Sequence, residues 1–301
     1  MKSKTCLKLL ILKIGGCYAC SVFMLIVHFL SQGECSTFND SFDISWGNDH
    51  VKLFNNEQTV ELSLDKASGS GFTSKNNYLF GSFNMKIKLI AGNSAGTVTA
   101  YYMSSDSSSH DEIDFKFLGN LPGKGYHLQT NVFVNGVGNR EQRIRLWFDP
   151  STDFHNYSIL WNQKQIVFGV DSIPIRAFKS NESLGIPYPK NRPMKIISTL
   201  WNGENWATNG GKVKIDWSKA PFIASFQAFE VDGCVTSASP SPSPSPSPCV
   251  GHWWEQPEFE GLSQDQLNKL GWVPKNYMFY DYCKEKSGRF SSVPIECAIN
   301  P

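Results

Sequence analysis

Three ionisable residues alternate along one short stretch of the chain, from residue 110 to residue 119. Glu112, Asp114 and Lys116 are separated by apolar residues, namely Ile113, Phe115 and Phe117. Side chains on a β-strand alternate between its two faces, so this spacing puts all three charges on one face. Carboxylates can attack as nucleophiles or exchange protons. A solvated surface strand is the alternative, but two carboxylates opposite so apolar a face favour a lined cleft.

The elements around this stretch are short and rich in β-branched and aromatic residues. They are separated by clusters of Gly, Asn, Pro and Ser, which is typical of strands joined by turns, and we predict strands at residues 60–64, 81–89, 97–102, 144–148, 157–161 and 195–200. The region from Phe38 to Val235 has no sustained helical period. The pattern predicts an all-β jelly-roll sandwich whose concave groove holds a ligand.

The first 35 residues have the composition of a signal peptide. Four lysines precede an apolar run that ends at Leu30, and small residues follow it. A retained membrane anchor is the alternative, but the 17 residues from Ile14 to Leu30 fall short of the roughly 20 needed to span a bilayer. Removing the leader takes away four Lys and Glu34, leaving 24 basic and 26 acidic residues. This balance argues against a nucleic-acid partner, and we expect no membrane association after cleavage.

The composition changes after residue 236. Residues 237–248 contain five Ser-Pro repeats, which predict an extended linker between a domain at 36–236 and an extension at 249–301. In the extension, Leu262–Leu270 is predicted to be a short helix that stops at Gly271, and an aromatic strand precedes Cys283. Four cysteines, Cys234, Cys249, Cys283 and Cys297, are typical of disulfides; a metal site is the weaker interpretation, and three pairings are open.

Several motifs in one order resemble glycoside hydrolase family 16, and within it the plant xyloglucan endotransglucosylase/hydrolase branch. They lie at residues 96–105, 110–119, 129–131, 139–141, 206–211 and 277–283. The resemblance implies a retaining double displacement, in which one carboxylate attacks the sugar and another moves the proton. It implies that Glu112 is the nucleophile and that Asp114 orients it. The acid/base position falls on Lys116.

A lysine at this position departs from the family pattern. Its pKa starts near ~10.4, and neighbouring Glu112 and Asp114 favour the charged form. Loss of general acid/base help typically lowers a rate by about 10²–10⁴. We therefore expect a strongly impaired glycosidase and glycosyltransferase; a non-catalytic xyloglucan-binding protein is the alternative. Glu141 and Glu204 were the other carboxylates that could reach the cleft, but neither is expected to rescue it.

The resemblance also implies the remaining features of the site. Xyloglucan donor and acceptor chains are the expected partners of a monomer in the apoplast or cell wall, with no cofactor and no metal. The implied substrate-binding residues are Gln129, Thr130, Asn131, Asn139, Arg140, Glu141, Trp206, Ala207, Gly211 and Arg289. The implied disulfides are Cys234–Cys249 and Cys283–Cys297, and Asn181 is the expected glycosylation site. The Ser-Pro tract is either a simple linker or a substrate for proline hydroxylation and glycosylation.

Overall fold

The computed structural model describes residues 37–236, 249 and 251–299. The predicted signal peptide at 1–35 and the Ser-Pro tract at 237–248 lie outside these ranges. Within them, no helix is long and apolar enough to cross a membrane.

Two antiparallel sheets form the described part of the chain. The strands are β1 Phe42–Trp46, β2 Val51–Phe54, β3 Thr59–Leu64, β4 Ser70–Ser74, β5 Asn77–Lys88, β6 Thr97–Ser104, β7 Glu112–Leu118, β8 His127–Phe133, β9 Gln142–Arg145, β10 His155–Trp161, β11 Gln165–Val170, β12 Ile173–Lys179, β13 Lys195–Asn202, β14 Phe222–Thr236 and β15 Met278–Asp281. The eight-stranded sheet has the order β1-β4-β13-β6-β7-β8-β9-β15, and the seven-stranded sheet has the order β12-β11-β10-β5-β14-β3-β2. The predicted all-β jelly-roll sandwich is confirmed.

Aromatic residues fill the space between the two sheets. Phe115 and Phe117 of β7 pack edge-on against Tyr157 of β10 at centroid distances of 5.9 and 4.7 Å. Phe115 also contacts Phe168 of β11 at 5.1 Å. All four rings are fully buried. Because the odd-numbered residues of β7 enter this core, the even-numbered residues must point away from it.

The C-terminal extension completes the eight-stranded sheet. Strand β15 pairs antiparallel with β9, and the disulfides Cys234–Cys249 and Cys283–Cys297 form as predicted, each with a Cα–Cα distance of 5.5 Å. Two α-helices are described, α1 Phe38–Ser41 and α2 Gln264–Asn276.

The prediction that the tail helix stops at Gly271 is wrong. Helix α2 begins after the N-cap Ser263, whose hydroxyl accepts from the N–H of Gln266, and it continues through Gly271 to Asn276. The reason is tertiary: Val273, in the turn beyond Gly271, is completely buried together with the largely buried Leu270. Burial of these side chains outweighs the cost of a glycine inside a helix, which is about 1 kcal/mol relative to alanine.

One buried amide joins the tail to the sandwich. Asn162, 1% exposed, donates from Nδ2 to the carbonyl oxygens of Trp254 and Phe259 at 2.8 and 3.0 Å. Its Oδ1 accepts from the N–H groups of Lys164 and Gln165 at 2.9 Å each. A short turn of the sandwich therefore holds two carbonyls that lie about ninety residues away in sequence.

We expect Asn162→Ala to lower the free energy of unfolding by about 3 kcal/mol, because it leaves buried polar groups without partners. Urea denaturation followed by fluorescence measures this loss. Gln163→Ala, an exposed amide in the next position, is the matched control and should change stability by less than about 0.5 kcal/mol. Equal effects of the two substitutions would contradict this role for Asn162.

Candidate active site

Strand β7 presents its charged residues on the face of the eight-stranded sheet that points away from the core, here called the site face. Residues of the two neighbouring strands surround these charged side chains. Asp114 lies opposite Tyr102 of β6 and Asn131 of β8. Lys116 lies opposite Ala100 and Gln129 in the same register. The structure thus brings Glu112, Asp114 and Lys116 together as the alternation predicts.

The three charged groups form one ion cluster. Lys116 Nζ lies 2.8 Å from Asp114 Oδ2 and 3.1 Å from Glu112 Oε1, and it donates a hydrogen bond to each. The same ammonium lies 5.6 Å from the ring centroid of Phe133. Asp114 is completely buried, and the Lys116 side chain is 20% exposed. A largely desolvated ammonium is therefore shared by both carboxylates.

The pKa shifts follow from burial and from this pairing. Burial lowers the pKa of Lys116, but the charges and hydrogen bonds of Asp114 and Glu112 together outweigh it, so the net shift is upward. Burial raises the pKa of Asp114 to about 7, although the Lys116 charge opposes this. Lys116 consequently stays an ammonium at acidic and neutral pH, and it has no lone pair with which to accept a proton.

Glu112 has a second nitrogen-bearing neighbour, His110, which is not among the site residues predicted from the sequence. His110 Nε2 lies 3.6 Å from Glu112 Oε2, and the imidazole stacks on Phe133 at 5.5 Å. The sequence does indicate this neighbour, because His110 is two residues before Glu112 and continues the alternation of charged and apolar residues. Both oxygens of Glu112 therefore face a nitrogen, Lys116 on one side and His110 on the other.

Three further side chains near the cluster are candidates for carrying a proton, those of Tyr102, Glu141 and Glu204. Burial, with the Glu112 charge adding to it, raises the pKa of Tyr102 to about 12. The carboxylate of Glu141 forms an ion pair with Arg289 at 2.9 Å, and that of Glu204 accepts from the N–H of Ile215 at 3.4 Å. Among residues 37–236, 249 and 251–299, no cluster of His, Cys, Asp and Glu is arranged to hold a metal ion.

The implied binding residues on β8 divide between the two faces. Gln129 and Asn131 lie on the site face beside Lys116 and Asp114. Thr130 lies on the opposite face, where its hydroxyl and carbonyl oxygens each accept from the buried Arg176 at 3.0 Å. Consecutive strand residues cannot share a face, so the Thr130 side chain does not reach the site face.

The segment from Asn139 to Glu141 is likewise divided. Arg140 is 7% exposed, and its Nε donates to Glu296 Oε1 at 2.7 Å, so its side chain is held in the interior. Arg289 from the tail binds Glu141 and donates to Asn139 Oδ1 and to the Tyr280 hydroxyl. The structure therefore brings Asn139, Glu141 and Arg289 together and leaves Arg140 out.

The loop after β13 carries a tryptophan that packs near Val98 and Leu118, which lie on the same sheet face as Lys116. Trp206 is half-buried and tilted against Trp201 at 6.1 Å, while Ala207 is buried against Val98 and Leu118. Gly211 has φ +82°, and a Cβ there would lie 2.1 Å from the Asn205 carbonyl oxygen. Ala207 and Gly211 shape the loop, and Trp206 is the member of this group that presents a side chain. Asn181 Oδ1 accepts from the Ser183 hydroxyl at 2.7 Å, and glycosylation of Asn181 stays a prediction.

The two-sheet sandwich carries its paired carboxylates on one strand of an outer sheet face, and similarity to known proteins shows the family. The model of glycosyl hydrolases family 16 matches residues 38–219, and the model of the xyloglucan endo-transglycosylase C-terminus matches residues 249–297. The chain belongs to glycosyl hydrolase family 16 and, within it, to the xyloglucan endotransglucosylase/hydrolase group.

Individual relatives agree with this family. The chain is 53% identical over 260 residues to the probable xyloglucan endotransglucosylase/hydrolase protein 5 of Arabidopsis thaliana, covering 86% of this chain and 87% of the relative. It is also 53% identical over 260 residues to xyloglucan endotransglucosylase/hydrolase protein A of Phaseolus angularis, covering 86% and 88%. Among solved structures it resembles the β-glucanase of Bacillus licheniformis, with a TM-score of 0.50, 25% identity, and 62% and 89% of the two chains covered.

Replacing Lys116 by Met should make stability more dependent on pH. The pKa of Asp114 is raised in the folded state, so the stability it contributes is complete below its unfolded pKa of 3.8 and is lost as pH rises through about 7. Removing the ammonium raises that pKa further. We expect Lys116→Met to be more destabilising at pH 8 than at pH 5, by at least about 1 kcal/mol.

Denaturant titrations of the wild type and Lys116→Met at both pH values test this expectation. The matched control places Lys116→Met in an Asp114→Asn background, where the extra pH dependence should disappear. A pH-independent effect of Lys116→Met in the Asp114 protein would show that the two groups are not electrostatically linked.

Proposed function

We propose that this protein is a secreted cell-wall protein that holds xyloglucan on its site face but cleaves and rejoins it only very weakly. The observation that carries the proposal is the position of Lys116 Nζ, within 3.1 Å of both site carboxylates. The family assignment supplies the polymer class, and the relatives' names are the basis for choosing xyloglucan. The leader composition supports secretion.

The first half of a retaining reaction would be slow for lack of a suitable acid. Glu112 attacks the anomeric carbon, the bond to the leaving oxygen breaks, and that oxygen needs a proton as it departs. A general acid works best when its pKa lies near the working pH. Lys116 holds its proton too tightly, because two carboxylates stabilise the ammonium.

The second half would lack a base. An acceptor hydroxyl, or water, must lose a proton as it attacks the glycosyl–Glu112 intermediate, and a charged ammonium has no lone pair to receive one. The ion cluster also weakens the nucleophile itself, since Glu112 Oε1 accepts from Lys116. Both half-reactions are thus impaired by the same side chain.

A purely binding function is the second candidate, and the packing of the site favours it. Lys116 pairs with both carboxylates, although Asp114 Oδ1 is buried without a hydrogen-bond partner among the described residues. The half-buried ring of Trp206 is the neutral group that a sugar chain can contact, whereas the amides of Gln129 and Asn131 are buried beside the cluster. Such a protein would bind xyloglucan in the wall without remodelling it.

We expect Lys116→Glu to raise the transfer of xyloglucan onto a labelled xyloglucan oligosaccharide by about 10²–10⁴, because it restores an acid/base carboxyl beside an intact nucleophile. A fluorescence transfer assay measures this. Lys116→Gln removes the charge without adding a carboxyl and should stay inactive, as should Glu112→Gln combined with Lys116→Glu. Wild-type turnover equal to that of Lys116→Glu would contradict the proposal that Lys116 impairs catalysis.

Binding should survive in the wild-type protein. Calorimetry with a xyloglucan oligosaccharide should detect association, and Trp206→Ala should weaken it up to about tenfold, because loss of a ring contact costs about 0.5–1.5 kcal/mol. Trp253→Ala is the matched control: this ring is 41% exposed and hydrogen-bonds Asp232 of the other sheet. If neither the wild type nor Lys116→Glu binds the oligosaccharide, the protein does not recognise xyloglucan.

A further inference from the structure

The site face ends in a group of cationic and aromatic side chains on β8, β9 and β15. Its members, here called the basic-aromatic patch, are His127, Arg143, Arg145, Phe279 and Tyr280. Register places His127 opposite Arg145, and Gln129 opposite Arg143, so both arginines share the face of Lys116. Arg143 is two strands away from Lys116, or about 10 Å at the usual strand spacing.

A bulge brings two neighbouring aromatic residues to the same face. The pairing of β15 with β9 shifts between Met278 and Tyr280, so the usual alternation is broken there. As a result the Arg143 guanidinium lies 5.1 Å from the Tyr280 ring centroid and the Arg145 guanidinium lies 4.9 Å from that of Phe279. His127 contacts the Phe279 ring at 4.5 Å.

The two arginines of the patch differ from their neighbours in having no carboxylate partner within the described ranges. Arg140 is paired with Glu296 and Arg289 with Glu141. Arg143 instead donates from Nε to the neutral Gln129 amide at 2.8 Å, and Arg145 is exposed over its aromatic ring. A guanidinium stacked on a ring is held in one plane, which leaves its outer N–H fork available to a ligand.

Two of the three nearby carboxylates are paired with cations outside the patch, so Arg143 and Arg145 together outweigh the one negative charge left on Glu285. Arg289 binds Glu141, Lys284 binds Asp281, and Glu285 bonds the Tyr280 hydroxyl and the N–H of Ser287. Burial, together with the charges of Arg145 and Arg143, lowers the pKa of His127. This local field stands out in a chain with 28 basic and 27 acidic residues.

We propose that the basic-aromatic patch binds a uronic-acid residue, so that the protein recognises an acidic glycan at this end of its site face. A sugar carboxylate matches the planar fork of arginine, and the C–H faces of a sugar ring match exposed aromatic rings. The neutral amides near Lys116 offer no such partner for an anion. The inference rests on the proposed glycan-binding function of this face, but it names a second class of ligand.

Calorimetry with a galacturonic acid hexamer and with the same hexamer after carboxyl reduction tests the proposal. We expect the acidic hexamer to bind at least about tenfold more tightly, with an advantage that shrinks between 20 and 300 mM NaCl as the charges are screened. Arg145→Gln should weaken binding of the acidic hexamer about tenfold, as expected for a charge-assisted hydrogen bond. It should leave binding of a neutral xyloglucan oligosaccharide unchanged.

Lys86→Gln is the matched control, because it removes one exposed positive charge from β5 of the other sheet. Its affinity for both hexamers should equal that of the wild type. Equal affinity for the acidic and reduced hexamers, or equal losses in Arg145→Gln and Lys86→Gln, would overturn the proposal while leaving xyloglucan binding intact. Loss of xyloglucan binding alone, with the acidic hexamer still bound, would instead overturn the proposed xyloglucan function.

Discussion

The contact of one ammonium with two carboxylates determines how this site can behave. Lys116 Nζ lies 2.8 Å from the fully buried Asp114 and 3.1 Å from Glu112, so each carboxylate compensates a charge that would otherwise be buried alone. Removing either partner from such a pair typically destabilises a protein by 3–5 kcal/mol. The cluster that keeps the strand folded also keeps the lysine charged, and a charged lysine cannot serve as the base of a retaining reaction.

The sandwich behind this contact fixes its geometry. Phe115 and Phe117 are buried against Tyr157, and a register slip of one residue would put these rings into solvent and the charges into the core. The tail contributes through β15, which pairs with β9 and carries Phe279 and Tyr280 onto the same face. The extension is therefore part of the site face.

The sequence predicted the features that depend on local pattern and missed those that depend on distant contacts. Alternation along β7 correctly placed Glu112, Asp114 and Lys116 on one face. The same rule, applied to three consecutive residues of β8, already separates Thr130 from Gln129 and Asn131. By contrast, Arg140 is held by Glu296, which is 156 positions further along the chain, and no local pattern indicates that pair. The continuation of α2 beyond Gly271 and the bulge in β15 also depend on packing partners supplied by the fold.

The most direct test of the central claim uses a substrate whose leaving group needs no general acid, and then adds a nucleophile that needs no general base. In a 2,4-dinitrophenyl xyloglucan oligosaccharide, the dinitrophenolate leaves without needing a proton. Glu112 can therefore displace it even when Lys116 cannot act as an acid. Mass spectrometry of the wild-type protein should show a glycosyl adduct on Glu112, and added azide, which attacks without needing a base, should release it as the glycosyl azide. If no adduct forms, azide has no effect, and polymeric xyloglucan is turned over as fast as by Lys116→Glu, then Lys116 does not block proton transfer.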